Sequence, residues 1–217
     1  MRTRVAQVVP ALAAVLIAVA ASTTLWAWLG RPIDLPDAPG GKFECLSYSP
    51  YKGSQTPFDK AFVAPRAQID EDLRKLAPTT HCVRTYSSAQ GLDAVADLAP
   101  EHDLDVLLGI WIAREPKDNA KEIEAGLRAA KAHPERIRAI VVGNETLLRR
   151  EVTAAQLIDE IGKVRARTDV PLTYADVWEF WLKNPEVAAH VDFLTVHILP
   201  YWEDYPVSID ASLAHVQ

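Results

Sequence analysis

"IRAIVVGNE", residues 137–145, decides how this chain folds. An apolar run of this length suits a strand covered on both faces, as in a parallel sheet flanked by helices. Yet it ends in an amide and a carboxylate, Asn144 and Glu145. Working outward, comparable strand-like runs occur at "FECLSYS" (43–49), "CVRTYS" (82–87), "DVLLGIWI" (105–112), "VPLTYAD" (170–176) and "VDFLTVHI" (191–198). Helical patterns separate them: Ile69, Leu73 and Leu76; Ile123, Leu127 and Ala130; Leu157, Ile161 and Val164. Thr153 and Gln156 have the spacing of a capping box opening the third of these. A further helix is expected in "SIDASLAHVQ", 208–217. Strands alternating with helices imply a parallel α/β sheet with right-handed crossovers.

Two architectures use that alternation, an open doubly wound sheet and an eight-fold barrel. A doubly wound nucleotide fold places a glycine-rich turn after its first strand. Here the first strand runs into "SYSPYKGSQTP", which has no such turn. What the strand ends share is polar and aromatic residues: Tyr48 and Tyr51, Arg84 and Tyr86, Trp111, Asn144 and Glu145, Asp176 and Trp178, His197 with Tyr201 and Trp202. A (β/α)8 TIM barrel gathers these ends on one face, where barrel active sites lie. About six of its β/α units fall within the 217 residues.

Composition limits the partners. The chain is 49% hydrophobic and 24% charged, the balance of an ordinary globular domain. Its net charge is −6, and beyond residues 1–4 there is no block of Lys or Arg to neutralise phosphates, so nucleic acid is not an expected ligand. Residues 1–4, "MRTR", are expected in the cytoplasm, held by Arg2 and Arg4. Residues 5–30 are the expected transmembrane anchor or signal segment, since 5–29 carry no charge and about 20 apolar residues cross a bilayer. A retained anchor is favoured because Trp26 and Trp28 suit the membrane interface; the alternative is a leader cleaved near "AVA" at 18–20 and a secreted domain. In both cases the folded part lies on the extracytoplasmic, periplasmic side. Residues 31–41, rich in Pro and Gly, read as a linker, and the barrel occupies 42–217. Cys45 and Cys82 have two open readings, a disulfide permitted by an oxidising compartment or buried free thiols.

A carboxylic acid at a barrel mouth, beside an amide and among aromatic rings, suits a general acid acting on a sugar. Glycoside hydrolysis needs one carboxyl to protonate the leaving oxygen and a second to attack or to activate water. Aromatic rings offer flat faces to the C–H surfaces of glucose. The plainer alternative for Glu145 is a residue that complements a helix dipole. Arg84 could equally pair with a barrel carboxylate or touch substrate, and Trp181 reads as helix packing. His190, Asp192 and His197 are metal-type side chains, but they fall at opposite ends of one strand, so no metal is expected. No cofactor is expected either.

"VVGNE", with "VRTYS", "LLGIWI", "YADVW" and "VHILPYW" in that order, resembles glycoside hydrolase family 17, in particular its bacterial and fungal branch acting on β-1,3-glucan. The resemblance spans residues 42–217. It implies an eight-fold barrel and a retaining double displacement by two glutamates. It makes Glu145 the acid/base. It also makes Asn144 the neighbouring substrate contact. From their places at the strand ends Tyr48, Arg84, Tyr86, Trp111, Asp176, Trp178, His197, Tyr201 and Trp202 are the further expected substrate contacts, with Trp111, Trp178 and Trp202 the stacking platforms. The family's nucleophile is a Glu ending the seventh strand, and is expected beyond residue 217. Glu179 and Glu203 are poor substitutes, since a retaining pair must stand about 5–5.5 Å apart. Residues 1–217 alone are therefore expected to be an inactive fragment. The implied activities are β-1,3-glucan hydrolysis of the glucan β-1,3-glucosidase type or, alternatively, glucanosyl transfer in envelope glucan synthesis or remodelling. The alternative from another class is a non-catalytic, membrane-tethered glucan-binding module.

Overall fold

The computed structural model describes residues 2–32, 37 and 39–217. Met1 and, within the expected linker, residues 33–36 and 38 lie outside the described residues. The chain divides into two compact units, one of residues 37–198 and one of residues 1–36 with 199–217.

The second of these contains α1 (Arg2–Leu29). Within it Val9–Leu29 is apolar and not buried. At 1.5 Å per residue those 21 residues reach about 32 Å, enough for a hydrocarbon core of about 30 Å. By length and composition α1 is thus a candidate membrane span, although a signal sequence passes the same test.

The unit of residues 37–198 holds six parallel strands in the order β1-β2-β3-β4-β5-β6, a curled half-barrel with its helices outside. The strands are β1 (Leu46–Ser47), β2 (Cys82–Arg84), β3 (Asp105–Ile110), β4 (Ile137–Asn144), β5 (Leu172–Val177) and β6 (Thr195–His197). Between them run α2 (Arg66–Leu76), α3 (Ala94–Leu98), α4 (Pro116–Ala132), α5 (Ala154–Arg165) and α6 (Trp178–Lys183); α7 (Ile209–Val216) closes the chain in the other unit. Strand order equal to sequence order is what successive right-handed βα units produce when they curl towards a barrel.

β4 occupies the expected residues and is buried at every position except Arg138. The outer strands are shorter than their apolar runs. The run at 43–49 keeps two strand residues and a separate bridge from Phe43 to Thr80, and that at 191–198 keeps three. Both lie at sheet edges, where one side of the backbone has no partner to extend the ladder; β2, which has a neighbour on each side, likewise keeps three of the residues 82–87. Helix packing follows the expected spacing: Ile69 and Leu73 of α2, Ile123 and Leu127 of α4, and Leu157, Ile161 and Val164 of α5 are buried against the sheet. Thr153 and Gln156 form the reciprocal capping box that starts α5. Trp181 packs 5.4 Å from the Tyr174 ring and donates from Nε1 to the Thr195 carbonyl.

At the N-terminal end of the strands, Asp105 accepts from both Arg136 and Arg138, and Arg138 reaches on to Glu44. Cys45 and Cys82 are joined in a disulfide beside the β1–β2 pairing, which selects the first of the two sequence readings.

Candidate active site

The end of β4 is distorted. The β4–β5 register shifts between Val141 and Asn144, and Gly143 there has φ 85°. A Cβ on Gly143 would stand 2.9 Å from Thr146 Oγ1 and 3.3 Å from the Tyr174 ring. Glycine is therefore required for space as well as for its left-handed backbone. Bulges of this kind re-aim the residues that follow. Glu145 is itself left-handed, with φ 52°, and its N–H donates to the Ala175 carbonyl at 2.7 Å. A non-glycine residue in this region costs on the order of 1 kcal/mol, a strain typical of functional positions.

Around Glu145 the strand ends supply partners. From β6, His197 Nδ1 lies 2.8 Å from Glu145 Oε1, so one hydrogen bond joins the two side chains. From β2, Arg84 Nη2 donates to Asn144 Oδ1 at 2.6 Å. Burial lowers the Arg84 pKa, while Tyr86 and the Glu145 charge work the other way. The Glu145 side chain keeps 29% of its surface exposed, so it combines a fixed backbone with access to solvent.

Two arginines stack on the aromatic side chains of neighbouring strand ends. The Arg84 guanidinium lies 4.6 Å over the Tyr86 ring, and that of Arg149 lies 4.1 Å over Trp111. Arg149 also donates from Nη1 to the Asn144 carbonyl and from Nη2 to the Ile112 carbonyl and Glu151. Each ring is thereby linked through an arginine to Asn144, Tyr86 to its side chain and Trp111 to its carbonyl. Arg84 Nε and Arg149 Nε are buried without a hydrogen-bond partner. Such an omission costs about 1–3 kcal/mol at each atom.

A cavity of about 250 Å³ adjoins these rings, lined by Tyr48, Tyr51, Phe58, Tyr86, Trp111 and Glu122 among others. Tyr48 contributes its ring there, while its hydroxyl donates to Asp72, and its pKa is raised by burial and by the Asp72 charge. Glu122, on α4, is buried, and its pKa is raised by burial against the donors that face it.

Asp176, expected to touch substrate, has no exposed surface in this structure. Its carboxylate accepts from the Tyr174 hydroxyl and from the N–H groups of Val177 and Leu148. Burial, then the Glu145 charge, outweigh these bonds and raise its pKa. The Leu148 bond ties Asp176 to the loop that follows Glu145. Trp178, the first residue of α6, is partly exposed. Tyr201 and Trp202 fall in the other unit and are 82% and 81% exposed. Of the two substitute carboxylates, Glu179 pairs with Lys183, and Glu203 accepts from the Leu199 N–H and faces His215. Among the described residues, no group of three or more His, Cys, Asp or Glu is placed to hold a metal ion.

Arg149, Glu122 and Tyr174 are site elements that sequence reasoning missed. For Glu122 the available signal is its place beside Ile123, on the margin of the buried stripe of α4. Arg149 carries no signal, because its bonds depend on the turn that Gly143 permits.

The family described as BtgE/BtgC glycoside hydrolase domain matches residues 45–217. A glucan 1,3-β-glucosidase of Schizosaccharomyces pombe is 30% identical over 149 residues, covering 61% of this chain and 45% of its own length. One of Arthroderma benhamiae is 26% identical over 144 residues, covering 64% and 46%. The chain thus spans about half the length of these curated relatives. Among solved structures, a glycoside hydrolase family 17 β-1,3-glucanosyltransferase of Rhizomucor miehei aligns with TM-score 0.63 and 25% identity, over 80% of this chain and 64% of that one. An active-site mutant of the Rhizomucor enzyme, solved in complex with laminaritriose, aligns equally well.

Proposed function

The chain belongs to the BtgE/BtgC glycoside hydrolase domain family, of the glycoside hydrolase family 17 type, and from that premise we propose that it acts on β-1,3-glucan with Glu145 as acid/base. One observation carries this: a part-exposed carboxylate, fixed by a left-handed backbone, stands between the Arg84–Asn144 pair and His197. The relatives' activities, on glucan 1,3-β-linkages and in glucanosyl transfer, support the same substrate class.

The proposed reaction is a retaining double displacement. Glu145, protonated, gives its proton to the glycosidic oxygen as the bond to the anomeric carbon breaks. A second carboxylate, which we assign to a glutamate beyond residue 217, attacks that carbon and forms a glycosyl ester. Glu145, now a carboxylate, takes the proton of the hydroxyl that attacks next, and the ester bond breaks. Water as acceptor gives hydrolysis, and a glucan hydroxyl gives transfer. Asn144, oriented by Arg84, offers its amide N–H groups to a sugar hydroxyl. Tyr86, Trp111 and Trp178 offer ring faces. On this account residues 1–217 alone bind glucan without turning it over.

α1 is proposed as a membrane anchor that holds the domain on the extracytoplasmic side, or as a leader whose removal releases it. A second reading, a tethered glucan-binding module, keeps the aromatic side chains of the strand ends and needs no second carboxylate. Incubating the intact protein, expressed from its whole reading frame, with laminari-oligosaccharides separates the readings. Shorter products mean hydrolysis and longer ones mean transfer. Binding with no product at all is the result of the tethered module.

A further inference from the structure

Glu145 is held in a backbone conformation that its own side chain does not favour, and the residue that holds it stands in the turn that follows. We propose that Arg149 is the positioning residue of the candidate acid: it fixes the two peptide planes on either side of Glu145 and ties that turn to the end of β3. The proposal rests on the reading of Glu145 as proton donor and deepens it.

The backbone angles of Glu145 are set by those two planes. The Asn144–Glu145 peptide offers its carbonyl to Arg149 Nη1, while its N–H donates to the Ala175 carbonyl at 2.7 Å. The next peptide offers the Glu145 carbonyl to the Arg149 N–H at 2.8 Å. One residue thus bonds to the carbonyls before and after the Glu145 Cα, by its side chain and by its main chain. A left-handed non-glycine backbone, φ 52° here, persists where its surroundings over-determine it. With both planes held, the direction of the Glu145 Cβ is held too, and His197 Nδ1 meets the far end of the side chain at 2.8 Å.

The guanidinium is itself anchored. Nη2 donates to the Ile112 carbonyl at 3.3 Å and to Glu151 at 2.8 Å, and the group lies 4.1 Å over the Trp111 ring. Thr146 Oγ1 donates to that same Ile112 carbonyl at 3.2 Å. Residues 111–112, which follow β3, and the turn after β4 are therefore tied together. Arg149 Nε is buried without a partner. An orphaned donor in an otherwise bonded group asks for a reason. The fork supplies one, since its two terminal nitrogens reach carbonyls at two strand ends at once, which a single ammonium nitrogen does not.

Positioning of the acid has a signature that a general structural role lacks. It matters where the leaving group needs a proton and not where it departs unaided. The test uses the intact protein in detergent micelles, with a laminari-oligosaccharide and an aryl laminarioside whose phenolate leaves without a proton. Arg149→Met keeps an apolar stem against Trp111 and removes every side-chain donor. It is expected to lower kcat on the oligosaccharide by about 10–100-fold, at a KM within about threefold of the parent, and to leave the first, glycosyl-transferring step on the aryl substrate within about threefold. In a Glu145→Gln background the same substitution is expected to cost less than about threefold on the oligosaccharide, because the proton donor that Arg149 positions is gone.

Arg149→Lys keeps the charge without the fork and is expected to show the same split, so the test survives an Arg149→Met that urea titration shows to be unfolded. Equal losses on both substrates, an undiminished loss in the Glu145→Gln background, or parental rates in both Arg149 variants would overturn the proposal. If Glu145→Gln alone does not separate the two substrates, the acid assignment fails and this proposal fails with it. If Glu145→Gln separates them and the Arg149 variants do not, this proposal alone fails.

Discussion

Replacing Gly109 by alanine tests the close approach that sets the Tyr86 wall. A Cβ on Gly109 would lie 2.3 Å from the Thr85 carbonyl oxygen, 2.5 Å from the Tyr86 carbonyl carbon and 2.7 Å from that of Thr85. All three atoms are backbone, so relief requires moving residues 85–86, which follow β2, not rotating a side chain. Two further bonds depend on that approach: the Gly109 N–H donates to Thr85 Oγ1 at 2.8 Å, and Ser88 Oγ donates to the Gly109 carbonyl at 2.7 Å. Overpacking costs about 1–3 kcal/mol, and weakening two hydrogen bonds adds about 1 kcal/mol each. The expected loss is therefore about 3–5 kcal/mol. Gly162, on α5, is the control, since a Cβ there meets nothing within 4 Å. Gly162→Ala is expected to gain about 0.5–1 kcal/mol from helix propensity. Urea unfolding of the two variants gives both values as midpoint shifts at unchanged m. A loss below about 1 kcal/mol in Gly109→Ala would refute the argument that β2 and β3 meet here without room for a methyl group.

Reducing the Cys45–Cys82 disulfide, or the pair Cys45→Ser with Cys82→Ser, frees a segment with sequence separation 37. Loop-closure entropy predicts a loss of about 4 kcal/mol, read as the difference between oxidised and reduced midpoints; equal midpoints would rule the crosslink out as a stabiliser. For Asp105, burial raises the pKa, but the hydrogen bonds and charges of Arg138 and Arg136 outweigh it and leave it lowered. Its contribution is thus present above the unfolded value of about 3.9 and lost as pH falls through the folded one. Urea midpoints of parent and Asp105→Asn should converge as pH drops below about 4, and parallel curves would contradict this. Glu122→Gln should leave stability at neutral pH within about 0.5 kcal/mol of the parent or raise it, because burial already disfavours the charge.

The central part of the fold is legible in the sequence because its signal is local. β4 reads correctly over its whole length, since a strand paired on both sides and covered on both faces is apolar throughout. The capping box of α5 is legible for the same reason. β1, β2 and β6 are over-extended in the sequence reading, because composition does not mark where a strand leaves the ladder. Candidate residues at strand ends are found, but their pairings are not. That His197 meets Glu145 and Arg84 meets Asn144 depends on how the sheet curls. Asp176 shows the limit most clearly: its position at a strand end is right, and its buried contacts with Tyr174 and Leu148 are set by the turn after Glu145. Arg149 and Glu122 stay hidden because a charged residue on a helix or turn reads as solvated until its buried partners are known.

Glu145 as acid/base is most directly tested by comparing two substrates in the intact protein and its Glu145→Gln variant. One is a laminari-oligosaccharide, whose sugar leaving group needs a proton. The other is an aryl laminarioside, whose phenolate leaving group does not. The account predicts that Glu145→Gln loses about 10²–10⁴-fold in rate on the oligosaccharide and keeps most of the rate of the first, glycosyl-transferring step on the aryl substrate. Equal losses on both substrates, or none on the oligosaccharide, would contradict the assignment of Glu145 as the proton donor.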